Sequence, residues 1–186
     1  MSRIYLVRHA KAAARFDEDP DPSLSEDGKE AAVDLALELE KLGPLPIYTS
    51  PLERARETAL PLANRWGLVP EVSAAFSEIP TPPDIAEQGI KARGPWLQQI
   101  SGQRYGTQPP IIRAWREGVI GMLKSCRSDT VIFTHFMVIN AAMSSALNDD
   151  RMVVVQPDYC SCTVVETSMR GLAVVSRGAE AATKVL

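Results

Sequence analysis

The sequence predicts an α/β domain, with one largely parallel sheet in a three-layer α/β/α arrangement. Three observations carry this expectation. Strand-like and helix-like patterns alternate along most of the chain, as in a parallel sheet covered by helices. Two short apolar runs, "IYLV" and "VIF", read as strands, and each is followed closely by a histidine. The chain has 186 residues, enough for one sizeable core. No repeat or low-complexity tract marks a second domain, so residues 1–186 read as one unit.

The elements follow in order. Residues 4–8 read as the first strand, and "DEDPDPSLSEDG" is a turn-rich loop. In "KEAAVDLALELEKLG", Ala32, Leu35, Ala36, Leu39 and Leu42 recur at helical spacing, and Gly43-Pro44 supplies the stop. "LPIYTS" reads as a second strand. "SPLERARETALPLANRWG" reads as a helix capped by Ser50, with Pro51 at its first position and Glu53 completing a capping box. Pro61 is expected to kink or interrupt it, and Gly67 to end it.

"LVPEVSAAF" is a weaker strand. From Glu78 to about Pro110 the periodicity dissolves into a segment rich in proline and glycine, with a short helix around "WLQQI". A long irregular segment inside a compact domain often forms a lid or a binding loop. "IIRAWREGVIGMLKSC" reads as a helix, "DTVIFTH" as a strand and "MVINAAMSSAL" as a helix. "CSCTVVETSMRGLAVVSRG" closes the chain as two strands around a turn.

Composition narrows the function. The net charge is −3, with 20 Lys and Arg against 23 Asp and Glu. Nothing there suits a general nucleic-acid binder, which needs a basic excess to neutralise phosphates. No apolar run is long enough to span a membrane, and the N-terminus lacks a signal-peptide core. Cys126, Cys160 and Cys162 match no disulfide framework and read as small packing residues in a reduced compartment. The expectation is a soluble, cytoplasmic protein with no nucleic-acid or membrane partner.

His9 and His135 are the only histidines, and both stand at strand ends. Ligands of open parallel sheets bind at the carboxyl ends of the strands. "IYTS" and the helix bearing Arg54 and Arg56 would bring a third element to that rim. A lone histidine at a strand end is ordinarily structural. Two of them, with Arg8 directly adjacent, point instead to an anion. Buried arginine is costly without a partner, and arginines clamp phosphoryl oxygens while staying charged. A neutral imidazole is a competent nucleophile towards phosphorus, and a second, protonated one stabilises the charge of the transition state. A helix starting near Met137 would aim backbone N–H groups at the same anion. Zinc is the competing reading, but no HxH or HxxxH spacing is present.

Four blocks in order, "LVRHA", "LSEDGKEAA", "YTSPLERARETA" and "VIFTHF", resemble the signatures of the histidine phosphatase superfamily, which also contains the cofactor-dependent phosphoglycerate mutases. They cover most of the chain, with residues 80–125 and the final hairpin least diagnostic. The resemblance implies a phosphoglycerate mutase-like fold and a phosphatase that works without a metal or other cofactor. It implies that His9 is the nucleophile, that Arg8 and Arg54 hold the phosphoryl oxygens, and that His135 completes the pocket. Glu78, in "FSEIPTP", stands where the family often carries its proton donor, with Asp84 and Glu87 in reserve. Arg56 is expected at the surface.

The chain departs from the family pattern in places. "RHA" replaces the frequent "RHG", a mild change. "KAAARF" lacks the Thr and Asn of mutase-like members, so Lys11 or Arg15 would supply charge there. Phe136 replaces the usual glycine after the second histidine and would form an apolar wall. Arg93, Trp96 and Arg104 are candidates for the substrate side. The implied substrate is a phosphomonoester of a small molecule or side chain. A mutase-type phosphoryl transferase and a catalytically silent phosphate-binding module are the alternatives.

Overall fold

The computed structural model describes residues 1–15 and 17–182. One six-stranded sheet runs in the order β3-β2-β4-β1-β5-β6. Its strands are β1 (Ser2–Arg8), β2 (Ile47–Thr49), β3 (Glu71–Val72), β4 (Thr130–Thr134), β5 (Cys162–Ser168) and β6 (Gly171–Ser176). The β3-β2, β2-β4 and β4-β1 pairs are parallel, and β5 runs antiparallel to both β1 and β6. The mostly parallel sheet expected from the sequence is what forms, with its antiparallel part confined to the terminal hairpin.

Alternation along β1 and β4 explains the layers. Ile4, Leu6 and Ile132 face a large core shared with α4 (Arg93–Ser101), α5 (Pro110–Ser125) and α6 (Phe136–Ala146). Val7, Val131 and Phe133 face the other side, against α1 (Glu26–Leu39) and α2 (Glu53–Trp66). Central strands buried on both faces read as continuous apolar runs, which is why these two were the plainest in the sequence.

The helix boundaries shift for identifiable reasons. α1 begins three residues earlier than its apolar periodicity suggests, because Ser25 accepts a hydrogen bond from the Gly28 N–H at 3.1 Å. α2 begins at Glu53, not at the expected Ser50 cap. Its N-cap position is Leu52, which makes no side-chain cap bond. The Glu53 N–H is instead taken by Asp21, 2.7 Å away in the loop before α1. A distant carboxylate thus takes the first helical N–H, while the Ser50 hydroxyl accepts from the Leu52 N–H at 3.2 Å just ahead of the helix. Pro61 does not interrupt α2, which is continuous to Trp66 and ends at Gly67 with φ 65°. The irregular segment holds a four-residue α3 (Pro83–Ala86) and α4, which extends the short helix expected around "WLQQI".

Candidate active site

Parallel pairing of β1 with β4 sets the centre of the site. Arg8 pairs with Thr134, so the next residue on each strand is a histidine. The His9 N–H donates to the Thr134 carbonyl at 2.9 Å, and the two rings lie 5.1 Å apart between centroids. On the far side of β4, the Ser50 N–H donates to the Phe133 carbonyl. Three strand ends therefore place Ser50, His135 and His9 in a row.

His9 is held from two directions. Its Nδ1 lies 2.8 Å from the Ala10 carbonyl, and the Arg54 Nε donates towards its Nε2 at 3.3 Å. A carbonyl only accepts, so Nδ1 carries the ring proton and Nε2 keeps its lone pair. Burial, then the Arg54 and Arg8 guanidiniums, hold the imidazole well below its usual pKa, so it is neutral at neutral pH. The Ala10 N–H donates to the Thr58 hydroxyl, which itself donates to the Arg54 carbonyl. This chain ties the His9 loop to the helix that bears Arg54.

His135 is fully buried, with its Nε2 2.7 Å from the Ser50 hydroxyl. Its Nδ1 is buried and makes no hydrogen bond within the protein. Burial first, then the cationic surroundings, drive its pKa well below the usual value. The protonated second imidazole expected from the sequence is therefore not the state of the free site. An arriving dianion would supply the negative charge that favours that proton.

Arg8 and Arg54 are both 4% exposed. Arg8 donates from Nη1 to the Pro157 carbonyl at 2.9 Å, and its Nε is buried without a hydrogen bond. Arg54 has Asp21 at 3.8 Å, and its Nη1 is likewise buried without a hydrogen bond. Buried donors of this kind are costly unless an acceptor reaches them. They fit an anion with several oxygens.

Glu78 lines the same cavity. Its Oε1 accepts from the Ile79 N–H at 2.9 Å and from the Met137 N–H at 3.2 Å. The Met137 N–H, at the N-terminus of α6, thus serves this carboxyl. Burial raises the Glu78 pKa, and the two N–H groups with Arg93 and Arg54 oppose that rise. The reserves Asp84 and Glu87 are exposed and outside the cavity lining.

The cavity measures about 840 Å³ and is lined also by Lys11, Arg15, Lys91, Arg93, Phe136 and Tyr159. Phe136 is indeed a wall, with the Arg8 guanidinium 5.4 Å from its ring. Arg93 reaches the site, donating to the Ile79 carbonyl at 3.3 Å. Trp96 does not, because it is buried in the core under α4, and Arg104 is exposed away from the lining. Arg56 is exposed and pairs with Glu53, as expected. Sequence reading missed Ser50, Tyr159 and the Pro157 carbonyl. Only the "TS" at the end of β2 carried a signal, and the capping motif accounted for it. The three cysteines are free thiols.

The comparisons agree with this geometry. The model of the histidine phosphatase superfamily (branch 1) matches residues 4–179. A 5''-phosphoribostamycin phosphatase of Niallia circulans is 32% identical over 164 residues, covering 76% of each chain. A glucosyl-3-phosphoglycerate phosphatase of Mycobacterium tuberculosis (strain ATCC 25618 / H37Rv) is 32% identical over 119 residues, which span 62% of this chain and 48% of that protein. Among solved structures, a mycobacterial glucosyl-3-phosphoglycerate phosphatase in complex with VO3 superposes with a TM-score of 0.71 at 21% identity, covering 97% of this chain and 100% of that one. A phosphoglycerate mutase from Thermus thermophilus gives 0.63 at 23% identity, covering 96% and 99%. These likenesses are of fold. With the family model matching nearly end to end, the chain belongs to branch 1 of the histidine phosphatase superfamily.

Proposed function

We propose that this chain hydrolyses a phosphomonoester of a small molecule through a phosphohistidine formed on His9. The supporting observation is the tautomer of His9: with Nδ1–H given to the Ala10 carbonyl, the Nε2 lone pair stands beside Arg54 in the cavity. That lone pair attacks phosphorus. The bond to the ester oxygen breaks, its electron pair leaves with the oxygen, and the Glu78 carboxyl donates the proton. Glu78, now a carboxylate, takes a proton from water. The water oxygen bonds to phosphorus, the P–N bond breaks, and its electron pair returns to Nε2.

Arg8 and Arg54 donate to the phosphoryl oxygens throughout. With the Ser50 hydroxyl hydrogen given to Nε2 of His135, the ring proton of His135 sits on Nδ1. That atom then donates to the phosphoryl group. The relatives named above are phosphatases of 5''-phosphoribostamycin and of glucosyl-3-phosphoglycerate, and a cavity of about 840 Å³ has room for a leaving group well beyond phosphate. Cytoplasmic residence is part of the reading and rests on the three free thiols. None of the helices among the described residues is long and apolar enough to cross a membrane.

The test is hydrolysis of p-nitrophenyl phosphate with a chelator present, comparing wild type with His9→Ala. The expected result is activity that survives the chelator and disappears in the variant. An acid-labile, alkali-stable phosphoenzyme should accumulate on rapid quench of wild type alone. Activity retained by His9→Ala would sink the mechanism.

A further inference from the structure

We infer that Tyr159 is a positioning residue for the phosphate-binding arginine, acting with Phe136 as an aromatic seat for the Arg8 guanidinium. The inference rests on the role proposed for Arg8. The segment from Pro157 to Ser161 wraps this one residue. The Pro157 carbonyl takes Nη1 at 2.9 Å. The Arg8 N–H donates to the Ser161 carbonyl, and the Cys160 N–H donates to the Arg8 carbonyl, both at 3.1 Å. Tyr159 lies between those anchors, with its ring centroid 4.0 Å from the guanidinium carbon. The same ring stands 5.8 Å from the His9 ring and lines the cavity.

Two features show that this arrangement is not ordinary core packing. Tyr159 is 43% exposed, so its ring contributes little to a buried core. Cys160 has φ 56°, a left-handed conformation that a non-glycine residue adopts at a cost of about 1–2 kcal/mol. The turn from Asp158 to Ser161 is closed by the Ser161 N–H on the Asp158 carbonyl. Strain held next to a binding residue is a reason to look for a role.

The physical role follows from what Arg8 lacks. Among the described residues no carboxylate lies within ion-pair distance of it, and the Pro157 carbonyl is a backbone acceptor that carries no full charge. Burial disfavours its charge; Tyr159 supports it, its hydroxyl accepting from the guanidinium as well as its ring facing it, and Glu78 and Asp158 add to that support. A ring face attracts a guanidinium without occupying its N–H groups. Tyr159 and Phe136 therefore hold the side chain in place while leaving Nε for the substrate. A carboxylate in that position would pin Arg8 too, but it would compete with the phosphoryl oxygens.

The experiment measures vanadate binding and steady-state hydrolysis of p-nitrophenyl phosphate by wild type, Tyr159→Leu and Tyr159→Phe. Tyr159→Leu is expected to bind vanadate about 3- to 30-fold more weakly, as loss of a partly desolvated cation–π contact implies. KM should rise by more than kcat falls, and the melting temperature should hold. Tyr159→Phe keeps the ring face and loses only the hydroxyl contact with Arg8, so it should recover most of the affinity lost in Tyr159→Leu. Wild-type affinity in Tyr159→Leu would overturn the inference, as would equal losses in the Phe and Leu variants. Failure of the wild type to bind vanadate or turn over substrate would instead overturn the phosphatase reading beneath it.

Discussion

Single residues decide the protonation states on which the chemistry depends. His9 is kept neutral by burial and by two arginines, while Glu78 is pushed by burial towards its protonated form. The proposed mechanism needs the first unprotonated, as nucleophile, and the second protonated, as acid. Plots of kcat/KM against pH should therefore be bell-shaped, falling on the acid side as His9 gains a proton and on the alkaline side as Glu78 loses one. Glu78→Gln should lower kcat about 10²- to 10⁴-fold and abolish the alkaline limb. Ser50 tests the neighbouring ring. Ser50→Ala leaves the buried Nε2 of His135 without its partner. It should cost about 1–3 kcal/mol in urea denaturation and reduce kcat with p-nitrophenyl phosphate by roughly tenfold.

Elements carry these residues to one place, and contacts between their ends hold them there. The Ser25 N–H and hydroxyl both donate to the Lys11 carbonyl, two residues beyond His9. Gly28 sits so close to that carbonyl that an added methyl group would collide with backbone. Gly28→Ala should therefore push the start of α1 away from the His9 loop. We expect a loss of about 1–3 kcal/mol by thermal or urea unfolding, with a fall in activity at temperatures where the variant is still folded. Gly67→Val, at the left-handed end of α2, removes a conformation that only glycine adopts freely. It should lower stability by about 1–2 kcal/mol without changing KM, because the far end of the helix is remote from Arg54.

At the scale of the molecule, the buried site ties folding to pH. An unfolded histidine titrates near 6.5. His9 and His135 lie well below that when folded, so between the two values the unfolded chain binds more protons. Their contribution is fully present above pH 6.5 and is lost as pH falls towards their folded values. Glu78 acts oppositely: its raised pKa stabilises the fold at acid pH, and that effect is lost as pH rises through its folded value. Two histidines oppose one carboxyl, so the urea midpoint should drop between pH 7 and pH 5. The drop should be shallower in His9→Ala. Phosphate-free buffer is needed, since any bound anion stabilises the folded state.

The legible parts of this protein were those governed by neighbours in sequence. Apolar runs marked β1 and β4 because both faces of each strand are buried. Periodicity marked α1, α5 and α6, and the abrupt step from apolar run to "RH" or "TH" marked the rim where the histidines stand. What lay beyond reach depends on contacts between distant segments. Asp21 took the first N–H of α2, and Ser50 met His135; Glu78 came to the N-terminus of α6; Tyr159 came to Arg8 from the far end of the chain. Local patterns report propensity and one face of burial. Strand order and the meeting of remote side chains follow from packing the whole chain at once, where burial summed over two cores outweighs any single local preference.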